Sequence, residues 1–189
     1  SSYLEIADPL GGATDNFVVE AVLTASSFDA FDFGFARNDP AGDNAGNNGQ
    51  GLLFQDFGGG TGQIKVLNSF CCATGGFDVG SDPVQLAVGT PTALAAVQNG
   101  GVTELYVNGV MIADTTDGAI VGTPTNLGIG THPFDGVAGA FNGSIDRVRL
   151  STFAAGTFDP AELIPEPTTL VLIGLAVGGS LLPHRRRLA

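Results

Sequence analysis

Twelve consecutive residues gather most of the oxygen ligands that one loop of this chain could offer a metal. Asn38-Asp39-Pro40-Ala41-Gly42-Asp43-Asn44-Ala45-Gly46-Asn47-Asn48-Gly49 carries two carboxylates and four side-chain amides. A hard cation such as Ca²⁺ takes about six to eight oxygens and accepts them from flexible loops. Asp39, Asp43 and Asn47 are the candidate ligands, and calcium is the one cofactor they suggest. The spacing fits no EF-hand, and Asn, Asp and Gly also accumulate where a chain simply turns. Both readings stand at this level.

Other chemistry is thinly supplied. Glycoside hydrolysis needs two carboxylates about 5–9 Å apart. Before the tail the glutamates are only Glu5, Glu20, Glu104 and Glu162, with no Glu-x-Asp-x-x-Glu pattern. Asp29 and Asp32 are three apart and fall on opposite faces of an extended strand. His132 lies in Gly130-Thr131-His132-Pro133 with no Cys or Ser partner near it in sequence. No Gly-x-Ser-x-Gly elbow, phosphate loop or dinucleotide fingerprint occurs. Cys71 and Cys72 are adjacent, which excludes zinc spacing and a disulfide framework, and leaves either a vicinal disulfide or two thiols. No catalytic residue is assigned, and the chain reads as a non-enzyme.

The last 26 residues carry a different kind of signal: Ile164-Pro165-Glu166-Pro167, an apolar run from Thr168 to Leu182, then Pro183-His184-Arg185-Arg186-Arg187. As a helix the run would rise about 22 Å against a hydrocarbon core of roughly 30 Å. Gly174, Gly178 and Gly179 weaken that helix by about 1 kcal/mol each. A transient membrane segment fits better than a permanent span, although an ordinary single-span anchor is the alternative. Arg185, Arg186 and Arg187 would stay cytoplasmic and leave the body outside. Pro165 and Pro167 keep the preceding stretch extended, as a protease substrate requires.

Charge divides along the same line. The chain has seven Lys and Arg against nineteen Asp and Glu. With Arg185–Arg187 and Glu166 set aside, four basic residues (Arg37, Lys65, Arg147, Arg149) face eighteen acids, a net −14. Such a surface repels phosphate backbones, so nucleic acid is excluded as a partner. The chain begins Ser1-Ser2-Tyr3-Leu4, without Met or a secretory signal. An exported protein needs such a signal, so upstream sequence is expected.

The elements that must position these residues read as strands. With 29 Gly, 13 Phe, no Trp and 14% charged residues, the composition suits short strands and tight turns. Phe17–Thr24 is a strong β run. Phe17, Val19, Ala21 and Leu23 share one face and Val18 and Val22 share the other with Glu20, so both faces are expected to be partly covered. Phe31, Phe33 and Phe35 alternate with Asp32, Gly34 and Ala36 as a half-buried strand. Tyr3–Ile6, Gly51–Gln55, Gln63–Leu67, Thr92–Gln98 and Asn126–Ile129 are further candidates. Asn108-Gly109 between two β runs predicts a type I′ hairpin. In Ser144–Leu150, Ile145, Val148 and Leu150 can all face inward only if a bulge lies near Asp146-Arg147. Asp159-Pro160-Ala161-Glu162 starts like a capped helix but has room for one turn before Pro165. About ten short strands without βαβ alternation predict an all-β, two-sheet antiparallel sandwich, with a short hydrophobic helix at the C-terminus.

Two resemblances sharpen this. The series Leu105-Tyr106-Val107-Asn108-Gly109, Leu127-Gly128-Ile129-Gly130 and Phe141-Asn142-Gly143-Ser144-Ile145-Asp146-Arg147-Val148-Arg149-Leu150 resembles the second half of a laminin-G-like, concanavalin A-like jelly roll. The early run Phe17–Ala21 is similar to a strand of that family, without the Trp often found after it. The resemblance implies a jelly-roll domain over 1–157, and a calcium loop at the sandwich rim is common in such domains. The C-terminus is similar to the PEP-CTERM sorting signal of bacteria that secrete exopolysaccharide. It implies a linker over 158–167 with the Pro165-Glu166-Pro167 tripeptide, a sorting segment over 168–182 and a basic cytoplasmic tail over 183–189. It further implies an exosortase-type processing protease as partner, membrane association in transit, and delivery to the envelope or extracellular matrix. The function expected is a non-catalytic binding or adhesion module, with polysaccharide or another matrix component as partner. The alternatives are a structural matrix protein without a ligand and a glycoside-processing enzyme on the same scaffold.

Overall fold

The computed structural model describes residues 3–28, 32–38, 49–55, 61–68, 77–79, 85–115, 123–131 and 140–164. They form two antiparallel sheets, as the strand pattern requires. Seven strands make one sheet: β1 (Leu4–Ala7), β3 (Asp32–Asn38), β4 (Gly49–Gln55), β5 (Thr61–Asn68), β6 (Phe77–Val79), β7 (Gln85–Ala87) and β11 (Asn126–Ile129). Its order is β1-β11-β3-β4-β5-β6, with β7 paired to the opposite end of β5 from β6. The five-stranded sheet runs β10-β9-β8-β2-β12, from β2 (Phe17–Ala25), β8 (Thr92–Asn99), β9 (Val102–Val107), β10 (Val110–Thr115) and β12 (Gly143–Thr152). Strands β6 and β7, three residues each, are too short to give a periodic signal.

The core lies between the sheets. Phe17, Val19, Ala21, Leu23 and Ala25 of β2 point into it and meet Phe35, Leu52, Ile64, Val66, Leu94 and Leu105. The opposite face of β2 is also buried, as its apolar pattern predicts: Val18 and Val22 pack under the C-terminal strap. The predicted bulge is present in β12, where Ile145 pairs with Leu23 and Arg147 with Val22, so Asp146 is the extra residue. That insertion lets Ile145, Val148 and Leu150 all pack against the core. At the β9–β10 turn Asn108 (φ 51°) and Gly109 (φ 77°) both take the left-handed conformation that a type I′ turn demands, and Val107 pairs with Val110.

One expectation is corrected. The Phe31–Phe35 alternation does not run unbroken, because a register shift in β3 places Phe33 opposite Leu53 and Phe35 opposite Leu52. Gly34 is the inserted residue, and its carbonyl accepts from Gly130 N at 2.9 Å. A bulge takes two residues against one partner, so strict period two fails there.

One buried cation ties the N-terminal loop to the first sheet. Arg37 is fully buried, its Nε 3.0 Å from Asp8 Oδ1 and its Nη2 2.8 Å from Asp8 Oδ2 and from Ala13 O. The guanidinium lies 4.3 Å above the centre of the Phe17 ring. Burial alone would raise the Asp8 pKa. The Arg37 hydrogen bonds and charge, with the N–H groups of Gly12 and Leu10, outweigh that and hold the carboxyl below its ordinary range.

Candidate ligand-binding site

Glu20 stands on the outer face of the interior strand β2, between Val18 and Val22, and is 1% exposed. A lone carboxylate in an apolar strand is costly unless charged or hydrogen-bonding partners reach it. Two do. Arg149 is its cross-strand partner on β12 and donates from Nε to Oε1. The backbone N–H of Ile164 donates to Oε2. Arg149 also donates from Nη2 to the carbonyl oxygen of Glu162. One acid and one base thus bind the chain's last described stretch to the sheet.

That stretch, residues 153–164, is a strap across the outer face of the five-stranded sheet. Leu163 packs on Val18, Ala95, Val97 and Tyr106, with Phe153 and Phe158 beside them. Ile164 packs on Val22 and Ala93. Full burial of a side chain of this size contributes about 1.5–3 kcal/mol. Residues 160–162 form a single 3-10 turn, capped by Asp159 Oδ1, which accepts from Ala161 N at 2.9 Å. The one-turn limit read from the sequence holds. Residues 158–164, where the sequence placed the start of a linker, are docked on the domain.

Between β12 and the strap lies a pocket of about 230 Å³. Its apolar lining comes from Val18, Phe153, Phe158 and Leu163, with the two phenylalanine rings 5.1 Å apart. Arg149, Asp159 and Glu162 supply charge, and Ser151 and Thr157 supply hydroxyls. The Arg149 side chain is 46% exposed, so its guanidinium is open to solvent while it holds Glu20. A larger depression of about 400 Å³ opens at the side of the sandwich, where edge strands β1 and β12 approach. Tyr3, Leu4, Ile129, Phe141 and Ile145 line it, and Tyr3 and Leu4 are exposed.

The second tyrosine is unavailable to a ligand. Tyr106 is 5% exposed, meets Phe158 edge-on and donates to Glu104 Oε2 at 2.7 Å. Burial, with the neighbouring Glu104 carboxylate, pushes its phenol well above the ordinary tyrosine range.

Three of the four glutamates weighed for hydrolysis hold structural hydrogen bonds, and the fourth, Glu162, lines the strap pocket. Glu5 accepts from Asn126, Glu20 from Arg149 and Ile164, and Glu104 from Asn99 and Tyr106. Asp39, Asp43 and Asn47 lie outside the described residues, in the connection between Asn38 and Gly49, which pair at the ends of β3 and β4. Among the described residues no three His, Cys, Asp or Glu side chains converge as a metal site. Pro165, Glu166, Pro167, the 168–182 run and Arg185–Arg187 are likewise outside the described residues, as are Cys71, Cys72 and His132. Among the described residues no helix is long and apolar enough to cross a membrane. The Glu20 clamp and the strap pocket were not identified from sequence. Their trace there is one acid inside an otherwise apolar nine-residue strand.

Comparison with known proteins agrees with this architecture. No curated protein matches the chain by sequence. Among solved structures, the fold is similar to domain 4 of the extracellular arabinanase AbnA from Geobacillus stearothermophilus in complex with arabinotriose. The TM-score is 0.59 at 19% identity, over 80% of this chain and 66% of that one. It is similar to the CBM40 of a Ruminococcus gnavus IT-sialidase, with a TM-score of 0.57 at 16% identity, over 86% of this chain and 95% of that one. A K499G mutant of NanB sialidase from Streptococcus pneumoniae also matches, with a TM-score of 0.63 at 16% identity, over 86% of this chain but 26% of that one. At these identities the likeness is one of fold, and binding modules and parts of enzymes share it. Residues 1–156 match the laminin-G family described as the concanavalin A-like lectin/glucanases superfamily, and the chain belongs to that family.

Proposed function

We propose that this protein is a non-catalytic binding module of the laminin-G-like family that holds polysaccharide or another matrix component outside the cell. The observation that carries this reading is the commitment of Glu5, Glu20 and Glu104 to structural hydrogen bonds, while the two carboxylates that share the strap pocket, Asp159 and Glu162, stand on one 3-10 turn, where Asp159 already caps Ala161 N. A pocket with both aromatic and polar lining remains. That mixture suits recognition, because an apolar floor gives affinity and a few polar groups give orientation. The similarity to a domain seen with arabinotriose and to a CBM40 supports sugar as the ligand class.

Delivery belongs to the same proposal. The Pro165-Glu166-Pro167 tripeptide, the 168–182 run and Arg185–Arg187 would carry the body to the membrane, where an exosortase-type protease would cut near the tripeptide and release it to the envelope or matrix. A glycan array with the purified protein tests binding, and specific retention of at least one glycan is the expected result. Mass spectrometry of the mature C-terminus in the native host tests processing. A terminus near residues 165–167 is expected, and an intact Ala189 would overturn sorting in favour of a simple anchor.

A further inference from the structure

We infer that the pocket between β12 and the strap receives one neutral, hydroxyl-rich sugar residue of a polymer chain. This rests on the binding-module reading and names its site and ligand class. At about 230 Å³ the pocket is smaller than the ~300 Å³ at which sites for drug-sized ligands begin, so it suits one residue of a longer chain rather than a whole oligosaccharide.

The lining gives the chemistry. A pyranose or furanose presents C–H faces and a rim of hydroxyls. Phe153 and Phe158, half-buried and in mutual contact, offer the apolar surface that C–H faces cover. Around them stand groups of both hydrogen-bonding senses. The Asp159 and Glu162 carboxylates accept, the Arg149 guanidinium donates, and the Ser151 and Thr157 hydroxyls do either. Hydroxyls need that mixture.

Charge selects among sugars. One guanidinium faces two carboxylates, and Arg149 is already neutralised by Glu20. An added uronate or sialate carboxylate would meet net negative charge on a body that is itself strongly acidic. A neutral residue avoids that repulsion.

The site is framed by the clamp. Arg149 fixes the Glu162 carbonyl, and Asp159 caps the turn that carries Glu162. The pocket walls are therefore rigid where the polar groups sit, and little ordering remains to be lost on binding.

The test is a titration of the ¹⁵N-labelled full chain in detergent micelles with neutral gluco-, galacto-, manno- and arabino-trioses and with trigalacturonate. Saturable shifts at Thr157–Leu163 and at Arg149 Nε with a neutral triose are expected. Glu162→Ala should weaken that binding about tenfold, the scale of one hydrogen bond to a charged group. It leaves the backbone carbonyl that Arg149 holds, so the strap stays docked. Phe158→Ala should weaken it further. Binding that shifts Tyr3 and Ile129 instead, or that Glu162→Ala does not change, would overturn this site and leave the binding function standing. Tighter binding of trigalacturonate would overturn the neutral assignment. Failure of every triose to bind would overturn the site and the sugar-binding reading together.

Discussion

Glu20 and Arg149 sit directly opposite each other on β2 and β12, and their contact joins three chain segments. The Glu20 carboxylate takes Arg149 on one oxygen and the Ile164 N–H on the other, while Arg149 reaches on to the Glu162 carbonyl. The pair is asymmetric: the side chains are 2% and 46% exposed. A buried acid balanced by a half-exposed base is a clip that solvent can reach from one side only.

Removing either member should loosen the strap. Arg149→Ala leaves Glu20 buried without its charge partner and is expected to cost about 1–3 kcal/mol, less than for a fully buried pair because Arg149 is half-exposed. Urea unfolding gives the stability loss. Hydrogen exchange at the Ile164 amide gives the local effect and should accelerate more than exchange in β2.

Two glycines should differ in kind. A Cβ at Gly143 would lie 2.2 Å from Thr24 O and 2.7 Å from the Phe141 ring, and both belong to packed structure. Gly143→Ala is expected to cost about 3 kcal/mol or more through overpacking at the β2–β12 seam. At Gly109 an added Cβ meets open space, and only the φ of 77° opposes it. Gly109→Ala should therefore cost about 1 kcal/mol. Thermal unfolding of the two variants separates them.

Asp8 should make stability fall in acid. Its folded pKa is depressed, so the contribution is fully present above the unfolded value of about 3.9 and is lost as pH falls through the folded value. Asp8→Asn should flatten the stability profile below about pH 4, where the wild type declines. Denaturant midpoints between pH 2 and 6 check this.

Tyr106 gives the mirror case in alkali. Its folded pKa is raised, so the contribution is present below the unfolded value of about 10 and is lost as pH rises through the folded value. Tyr106→Phe removes that dependence at the cost of the Glu104 hydrogen bond. Unfolding followed above pH 9.5 should show a smaller decline in the variant.

Calcium is tested at the Asn38–Gly49 connection. On the calcium reading, calorimetry at millimolar Ca²⁺ gives heat and a raised Tm, and Asp43→Ala abolishes both; on the turn reading, neither signal is seen. Absence of both signals in the wild type would end the calcium reading.

Much of the sandwich was legible before any coordinate. Alternation on β2, the Asn108-Gly109 turn and the three-then-two spacing of Ile145, Val148 and Leu150 each reflect a local rule, because strand pleat and turn dihedrals are set by neighbours in sequence. The Gly34 bulge was not legible, since Phe-Gly-Phe reads as perfect alternation and only the register with Leu52 and Leu53 reveals the inserted residue. The strap pocket was illegible for a stronger reason. Glu20 and Ile164 are 144 positions apart, and the pairing that unites them depends on β12 lying beside β2.

Sequence by itself determined the all-β class, the positions of several turns, the acidity of the body and the three-part C-terminal pattern, because composition, pleat and charge are properties of short stretches. Tertiary structure alone decided which acids are committed to structural bonds, that Tyr106 is buried while Tyr3 is exposed, and that residues 153–164 close over the sheet to form a pocket. Those outcomes follow from which strands become neighbours, and that is fixed by burial of the whole core rather than by any one segment.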